Sequence, residues 1–341
     1  MNDALRPSNL GEILDRTIQL YRERFLVFFG IAAIPTAVIV VVASGVFLLV
    51  AWSGNSSKPA VGVLAGISIF AIALVALPIY VAASALASAA LNHSAARALF
   101  DQKITIADAY KVVWAQAWRY IGLYLLEGLI VVGAPITVWF VIVGISAFAG
   151  AFLKQAGVNF DPFLAIEIVV VMAALAIYCI WMALRLSLAF PACIVEKLGA
   201  LPTLKRSISL TNGTMGRIFI LYLLGTVLNY LVSMVVIVPI LIVAALIPGA
   251  NSPAHADSFY AVVARIAECT FFAVQALIKP VYGIALVVFY YDQRVRLEGF
   301  DIEWMMLRAG LVVPQSPIAP ESDPETPPSS APETSPPPEP V

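Results

Sequence analysis

Lys279 stands about 12 residues before Tyr291 in a long apolar run and is followed at once by Pro280. Counted from that end of the run, it falls near the middle of a membrane. A cation at the bilayer centre costs about 2.5–3.5 kcal/mol on insertion scales, so a functional site or a buried partner is the default expectation. The plainer alternative is a kinked helix in which Lys279 bonds carbonyls freed by Pro280 or snorkels to the headgroups. Glu127 lies about seven residues into the third apolar run. Its charge suits it to partner Lys279, although the two depths do not match when counted along the chain. Otherwise it is a carboxylate facing a wet crevice.

Other charges form local sets. Arg265 and Glu268 are spaced i, i+3 near the outer end of the sixth run, where they can pair on one helix face or form part of a ligand site. Arg185, Lys205, Arg206 and Arg217 cluster with Glu196 between the fourth and fifth runs. They read as contacts for anionic lipid headgroups, each worth about 1 kcal/mol beside a charged leaflet, or simply as the basic residues that set topology. His93 and His255 fall at opposite ends of the apolar runs and cannot share a metal. Cys179, Cys193 and Cys269 are far apart, with no CxxC pair. No Walker A loop, GxSxG elbow or HExxH is present. The sequence therefore offers no catalytic residue, no metal site and no cofactor.

The elements that must carry these residues are legible from composition. The chain has 341 residues, 61% apolar and 12% charged, against roughly 25% charged in a soluble domain. No charge occurs over 25–52, 61–96 or 218–256. About 20 apolar residues cross the hydrocarbon of a bilayer, so the pattern predicts six spans, at 25–51, 61–91, 121–152, 163–190, 218–247 and 259–291. Sixteen of the twenty Lys and Arg fall in the N-terminal segment, between spans two and three, from the end of span four into the start of span five, and after span six. The opposite loops hold only Lys58 and Lys154. The positive-inside rule then puts both termini of a multi-pass protein in the cytoplasm. A net charge of −1 gives no sign of a nucleic-acid partner.

Three basic segments have helical periodicity: 1–24, opened by an Asn9/Glu12 capping box; 105–119, opened by Thr105 and Asp108; and 202–213, with Pro202 at its first turn. Each is expected to be an amphipathic helix lying in the interface. The fold class expected is an all-α membrane protein whose six spans form three hairpins, each preceded by such a helix, with a period of about 95 residues. The transmembrane domain would run over 25–291 and a further amphipathic segment over 292–312. A Pro-rich acidic tail at 313–341 is too poor in apolar residues to fold.

Three stretches resemble a known family. Leu5-Arg6-Pro7, Leu10-Gly11-Glu12-Ile13-Leu14-Asp15-Arg16 and Leu20-Tyr21-Arg22 resemble the opening of bacterial proteins related to the membrane domain of glycerophosphoryl diester phosphodiesterase. The stretch Tyr290-Tyr291-Asp292-Gln293-Arg294-Val295-Arg296-Leu297-Glu298-Gly299-Phe300-Asp301 resembles their closing motif. Between these, Arg185, Pro191, Glu196, Leu204-Lys205-Arg206-Ser207, Leu210-Thr211-Asn212-Gly213 and Arg217 look like the central motif. The resemblance covers roughly 5–305 and implies a polytopic membrane domain. It does not imply phosphodiesterase activity, which in the fused enzymes belongs to a separate soluble domain rich in His and acidic metal ligands. The function expected is a non-catalytic membrane module, a scaffold or regulator of other envelope proteins or a lipid-binding protein in contact with the bilayer. The alternative is a transporter of a small molecule or lipid with a site near Lys279.

Overall fold

The computed structural model describes residues 7–54, 58–155, 157, 161–246, 256–300, 302, 305 and 306. The tail expected at 313–341, and His255, lie outside the described residues. The chain divides after Gly299. The second unit contributes only the helical residues 300, 302, 305 and 306, and the first holds every span.

The described residues are almost wholly helical, with no strand among them. Six helical stretches are long and apolar enough to cross a bilayer: Phe25–Gly54, Ala60–Leu99, Ala117–Gln155, Ala165–Val195, Met215–Leu246 and Ala261–Glu298. The chain is an all-α, multi-pass membrane protein. Its surface supports the same conclusion, because large apolar side chains point outward along the spans: Phe70 is 70% exposed, Phe148 80% and Val235 74%. Soluble monomers rarely expose contiguous apolar patches beyond a few hundred Å².

In chain order the helices are α1 (Leu10–Glu23), α2 (Phe25–Gly54), α3 (Pro59–Leu99), α4 (Ile106–Trp114), α5 (Ala117–Gly128), α6 (Ala134–Gln155), α7 (Asp161–Leu186), α8 (Ala189–Val195), α9 (Ala200–Thr211), α10 (Met215–Leu246) and α11 (Ala256–Glu298). One π turn, Leu129–Gly133, joins α5 to α6 without interrupting the span. It sits just before Pro135, which has no amide hydrogen to give to the preceding turn, and widening that turn relieves the clash of its ring. α2 packs on α3, α6 on α7 and α10 on α11.

Four features depart from the sequence expectation. The second short helix, expected over 105–119, ends at Trp114, and 117–119 already belong to α5 at the start of span three. Span four is not continuous through Phe190: α7 ends at Leu186 and α8 begins at Ala189, with Pro191 in the first turn of the new helix, where a missing amide hydrogen costs nothing. The segment expected to begin at 292 continues α11 unbroken to Glu298. The third short helix begins at Ala200, two residues before Pro202, and ends at Thr211 ahead of Gly213, whose φ of +79° suits glycine.

Burial is uneven along the bundle. The fully buried residues gather at one end, on residues 84–99 of α3, 276–295 of α11, the first turns of α2, and α8 and α9. This is the end that carries α1, α4, α9 and most of the basic residues, and it is called the basic end below. Ala85, Ala87, Ala89 and Ala90 of α3 are all 0% exposed. A Cβ on Gly283 of α11 would come within 3.6 Å of Leu91. Small residues let the two backbones approach, which is how apolar helices gain packing energy when lipid offers no hydrophobic drive. Toward the other end few side chains are buried, so the helices there present apolar surface on most sides.

α1 runs lengthwise along α11. Ser8, just before it, donates its amide to Asp292 at 2.8 Å, and Tyr21 near its end donates its hydroxyl to the carbonyl of Leu277 at 2.7 Å. Thirteen residues from Ser8 to Tyr21 and fifteen of α11 separate these contacts, about 20 Å along each at 1.5 Å per helical residue, so the two are antiparallel neighbours. Ile13, Thr17 and Leu20 are buried by this packing. The Asn9 amide donates to Glu12 at 2.9 Å, as the capping box requires, and Thr105 caps α4 by accepting from the Asp108 amide at 3.2 Å.

Candidate functional site

Lys279 and Glu127 line the same cavity. It has a volume of about 400 Å³ and is walled by α3, by α5 with the π turn, by the α7–α8 break, by α10 and by α11. Five of the six spans therefore contribute, and only α2 stays away. The polar side chains in its wall are Ser88 and Asn92 of α3, Tyr124 and Glu127 of α5, Ser187 at the α7–α8 break, Tyr222 of α10, and Lys279 and Tyr282 of α11. No hydrogen bond or ion pair joins Lys279 to Glu127 or to any other described residue, although the two charges share one space. Two opposite charges in one cavity, neither bonded to a described residue, leave an acceptor and a donor for something else.

Asn92 adds a third vacancy of the same kind. It is 6% exposed, its Nδ2 donates to the Ser88 carbonyl at 2.8 Å, and its Oδ1 has no hydrogen-bond partner. A buried amide oxygen left without a donor costs roughly 1–3 kcal/mol unless a water or ligand supplies one. The aromatic wall is fixed by a glycine. The Tyr222 and Tyr282 rings lie 5.8 Å apart, and the Tyr282 hydroxyl reaches Thr226 Oγ1 at 3.4 Å. A Cβ on Gly225 would stand 2.5 Å from Tyr282 Cε1, so only glycine there lets the ring lie against α10. The π turn supplies Val131 and Val132, and π turns within α-helices are frequent at functional sites.

The depth mismatch expected from the sequence disappears. Tyr290 and Tyr291, the reference for that count, are not the end of the helix, because α11 runs on to Glu298. Glu127 is ten residues from the start of α5, about 15 Å along it, and that reach brings it level with Lys279. Both lie where the tightly packed basic end gives way to the apolar, open half.

The basic residues of the central motif are arranged differently from what the sequence suggests. Arg217 donates to Asp292 at 3.2 Å and to the Ser8 carbonyl at 3.0 Å, and Arg296 donates to the same two residues at 3.0 and 2.8 Å. Arg206 pairs with Glu196 at 2.8 Å and also with Glu298. Glu298 accepts from Arg294 at 3.0 Å, and the Tyr290 hydroxyl donates to Glu196 at 2.7 Å. These two networks tie the start of α1, the α8–α9 corner and the foot of α10 to the last two turns of α11, just below the cavity. Arg206 and Arg217 thus have carboxylate partners within the chain. Arg185 lies 4.8 Å over the Trp181 ring and donates to Asn212 at 3.4 Å, whereas Lys205 is exposed. Sequence reasoning named Asp292, Tyr290 and Arg296 only as motif letters. Asp292 and Tyr290 find partners 75 residues or more away along the chain, in Arg217 and Glu196, whereas Arg296 bonds Asp292 four residues back and the Ser8 carbonyl.

At the other end of the bundle, Arg265 and Glu268 form their i, i+3 ion pair at 2.8 Å, with the Arg265 guanidinium 4.9 Å from the centre of the Phe47 ring. Glu167 accepts a hydrogen bond from Ser146. Among the described residues no cluster of three His, Cys, Asp or Glu is placed to hold a metal ion.

No family model, curated protein or solved structure matches the chain. The bearing of these residues on function therefore comes from the cavity itself.

Proposed function

We propose that the protein is a non-catalytic membrane protein that binds a small polar or amphipathic ligand in the cavity between Lys279 and Glu127, as the central site of a transporter or lipid-handling protein. The basic end faces the cytoplasm, with both termini there, in the bacterial inner membrane; the Lys and Arg asymmetry supports this orientation. The single observation that carries the reading is the pair of unsatisfied opposite charges in one cavity walled by five spans. Ligand sites in transporters are built in this way, from interrupted helices around a buried polar centre. Span four is interrupted at the cavity, and the π turn loosens span three there.

The test is thermal unfolding of the purified full chain in detergent, with a bacterial polar lipid extract and with a pool of small zwitterionic and anionic solutes. The wild-type chain should gain stability from at least one of them, and Lys279→Met and Glu127→Gln should lose that gain while remaining folded. Variants that respond as the wild type does would sink the proposal. A second reading, a scaffold for other envelope proteins, draws on Trp114 and Trp118, which are 68% and 86% exposed beside the basic end. Cross-linking from those two positions in native membranes would support it by capturing one protein repeatedly, and capture of lipid alone would remove it.

A further inference from the structure

A second cavity adjoins the first. It also measures about 400 Å³, and it lies between α6 and α7, lined by Pro135, Ile136, Trp139 and Phe140 on one side and by Met172, Leu175, Ala176 and Cys179 on the other. Val132 of the π turn lines both cavities. From Val132 to Phe140 the groove follows about 12 Å of helix away from the basic end. The two differ sharply in chemistry: the first holds a lysine, a carboxylate, an amide and three tyrosines, whereas no polar group faces the second.

Resting on the ligand-binding reading above, we infer that the ligand is a zwitterionic phospholipid, its headgroup held between Lys279 and Glu127 and one acyl chain laid in the groove between α6 and α7. The headgroup end follows from charge complementarity. The Lys279 ammonium meets a phosphate, and the Glu127 carboxylate meets a primary amine. The faces of Tyr124, Tyr222 and Tyr282 suit the same cation. An anionic headgroup without an amine would satisfy Lys279 and leave Glu127 facing like charge. The tail end follows from continuity: an apolar groove that starts at the wall of a polar cavity, and runs toward the open half of the bundle, matches a headgroup with its chain directed into the bilayer. A soluble zwitterion would leave the groove empty.

The test measures the thermal midpoint of the purified full chain in dodecyl maltoside against four titrated probes: dioleoylphosphatidylethanolamine, dioleoylphosphatidylglycerol, dioleoylglycerol and glycerophosphoethanolamine. The first should act at a concentration about tenfold or more below each of the others, the scale of one lost charge-assisted contact or an unfilled chain site. Glu127→Gln should bring the two phospholipids level. Ala176→Trp, which fills the groove, should weaken the phosphatidylethanolamine and leave glycerophosphoethanolamine unchanged. Equal action of the two phospholipids on the wild-type chain would overturn the inference, and so would glycerophosphoethanolamine acting as strongly as the lipid. In the second case a small-solute site at Lys279 survives. If none of the four acts, the phospholipid inference fails, and the response to the solute pool decides separately whether the cavity binds anything.

Discussion

Asp292 has a side chain only 2% exposed, and it accepts from Arg217, Arg296 and the Ser8 amide. Removing its charge leaves Arg217 and Arg296, 28% and 36% exposed, with the Ser8 carbonyl but no carboxylate, and a lost hydrogen bond to a charged group costs roughly 1.5–3 kcal/mol. Asp292→Ala should therefore lower the thermal midpoint in detergent by many degrees. Lys205→Ala, at an exposed position, should change stability by less than about 0.5 kcal/mol. If the two variants melted alike, the ion-pair network would have no structural weight. At this scale the sequence was informative in kind but not in pairing. It singled out Lys279 and Glu127 by their cost in an apolar run. It could not place them together, because the axial offset between α5 and α11 is set by packing far along both chains. Asn92 and the three tyrosines were missed. The signal that could have found Asn92 was an amide in a run otherwise free of charge.

At the scale of elements, the apolar runs and the basic segments foretold six spans and three short helices, because hydrocarbon thickness and helical period leave few alternatives. Breaks within spans were less legible. Pro135 and Pro191 were visible, but one produces a π turn and the other starts a new helix, and only the packing around each decides which. The short helix α1 was read as lying in the interface by its amphipathic pattern, yet its apolar face packs lengthwise on α11, since the same stripe serves a lipid surface or a neighbouring helix equally well. The glycine at 225 gives a prediction at this scale. Gly225→Leu should drive the Tyr282 ring off α10 and into the cavity. The variant should insert and fold, but any ligand that stabilises the wild-type chain should bind it at least tenfold more weakly, a loss of about 1.4 kcal/mol. Unchanged ligand binding in that variant would show that the ring does not shape the site.

For the whole molecule, the account comes down to a water-filled or ligand-filled polar space inside a bundle whose flanks face lipid. A cavity lined by Lys279, Glu127, Asn92 and tyrosine hydroxyls has enough polar partners to hold water, whereas the outward apolar faces have none. Thiol chemistry distinguishes the two, because the reactive thiolate does not form in hydrocarbon. The most direct measurement replaces the three native cysteines, Cys179, Cys193 and Cys269, with alanine and introduces one new thiol at a time in sealed inside-out vesicles. A small, charged, membrane-impermeant thiosulfonate is then applied from the cytoplasmic side. The account predicts fast labelling of Lys111→Cys on exposed α4, measurable labelling of Lys279→Cys, and none of Phe148→Cys on the lipid-facing side of α6. A Lys279→Cys thiol as inert as that of Phe148→Cys would contradict the account, and so would a Lys111→Cys thiol that reacts only from the opposite face of the membrane.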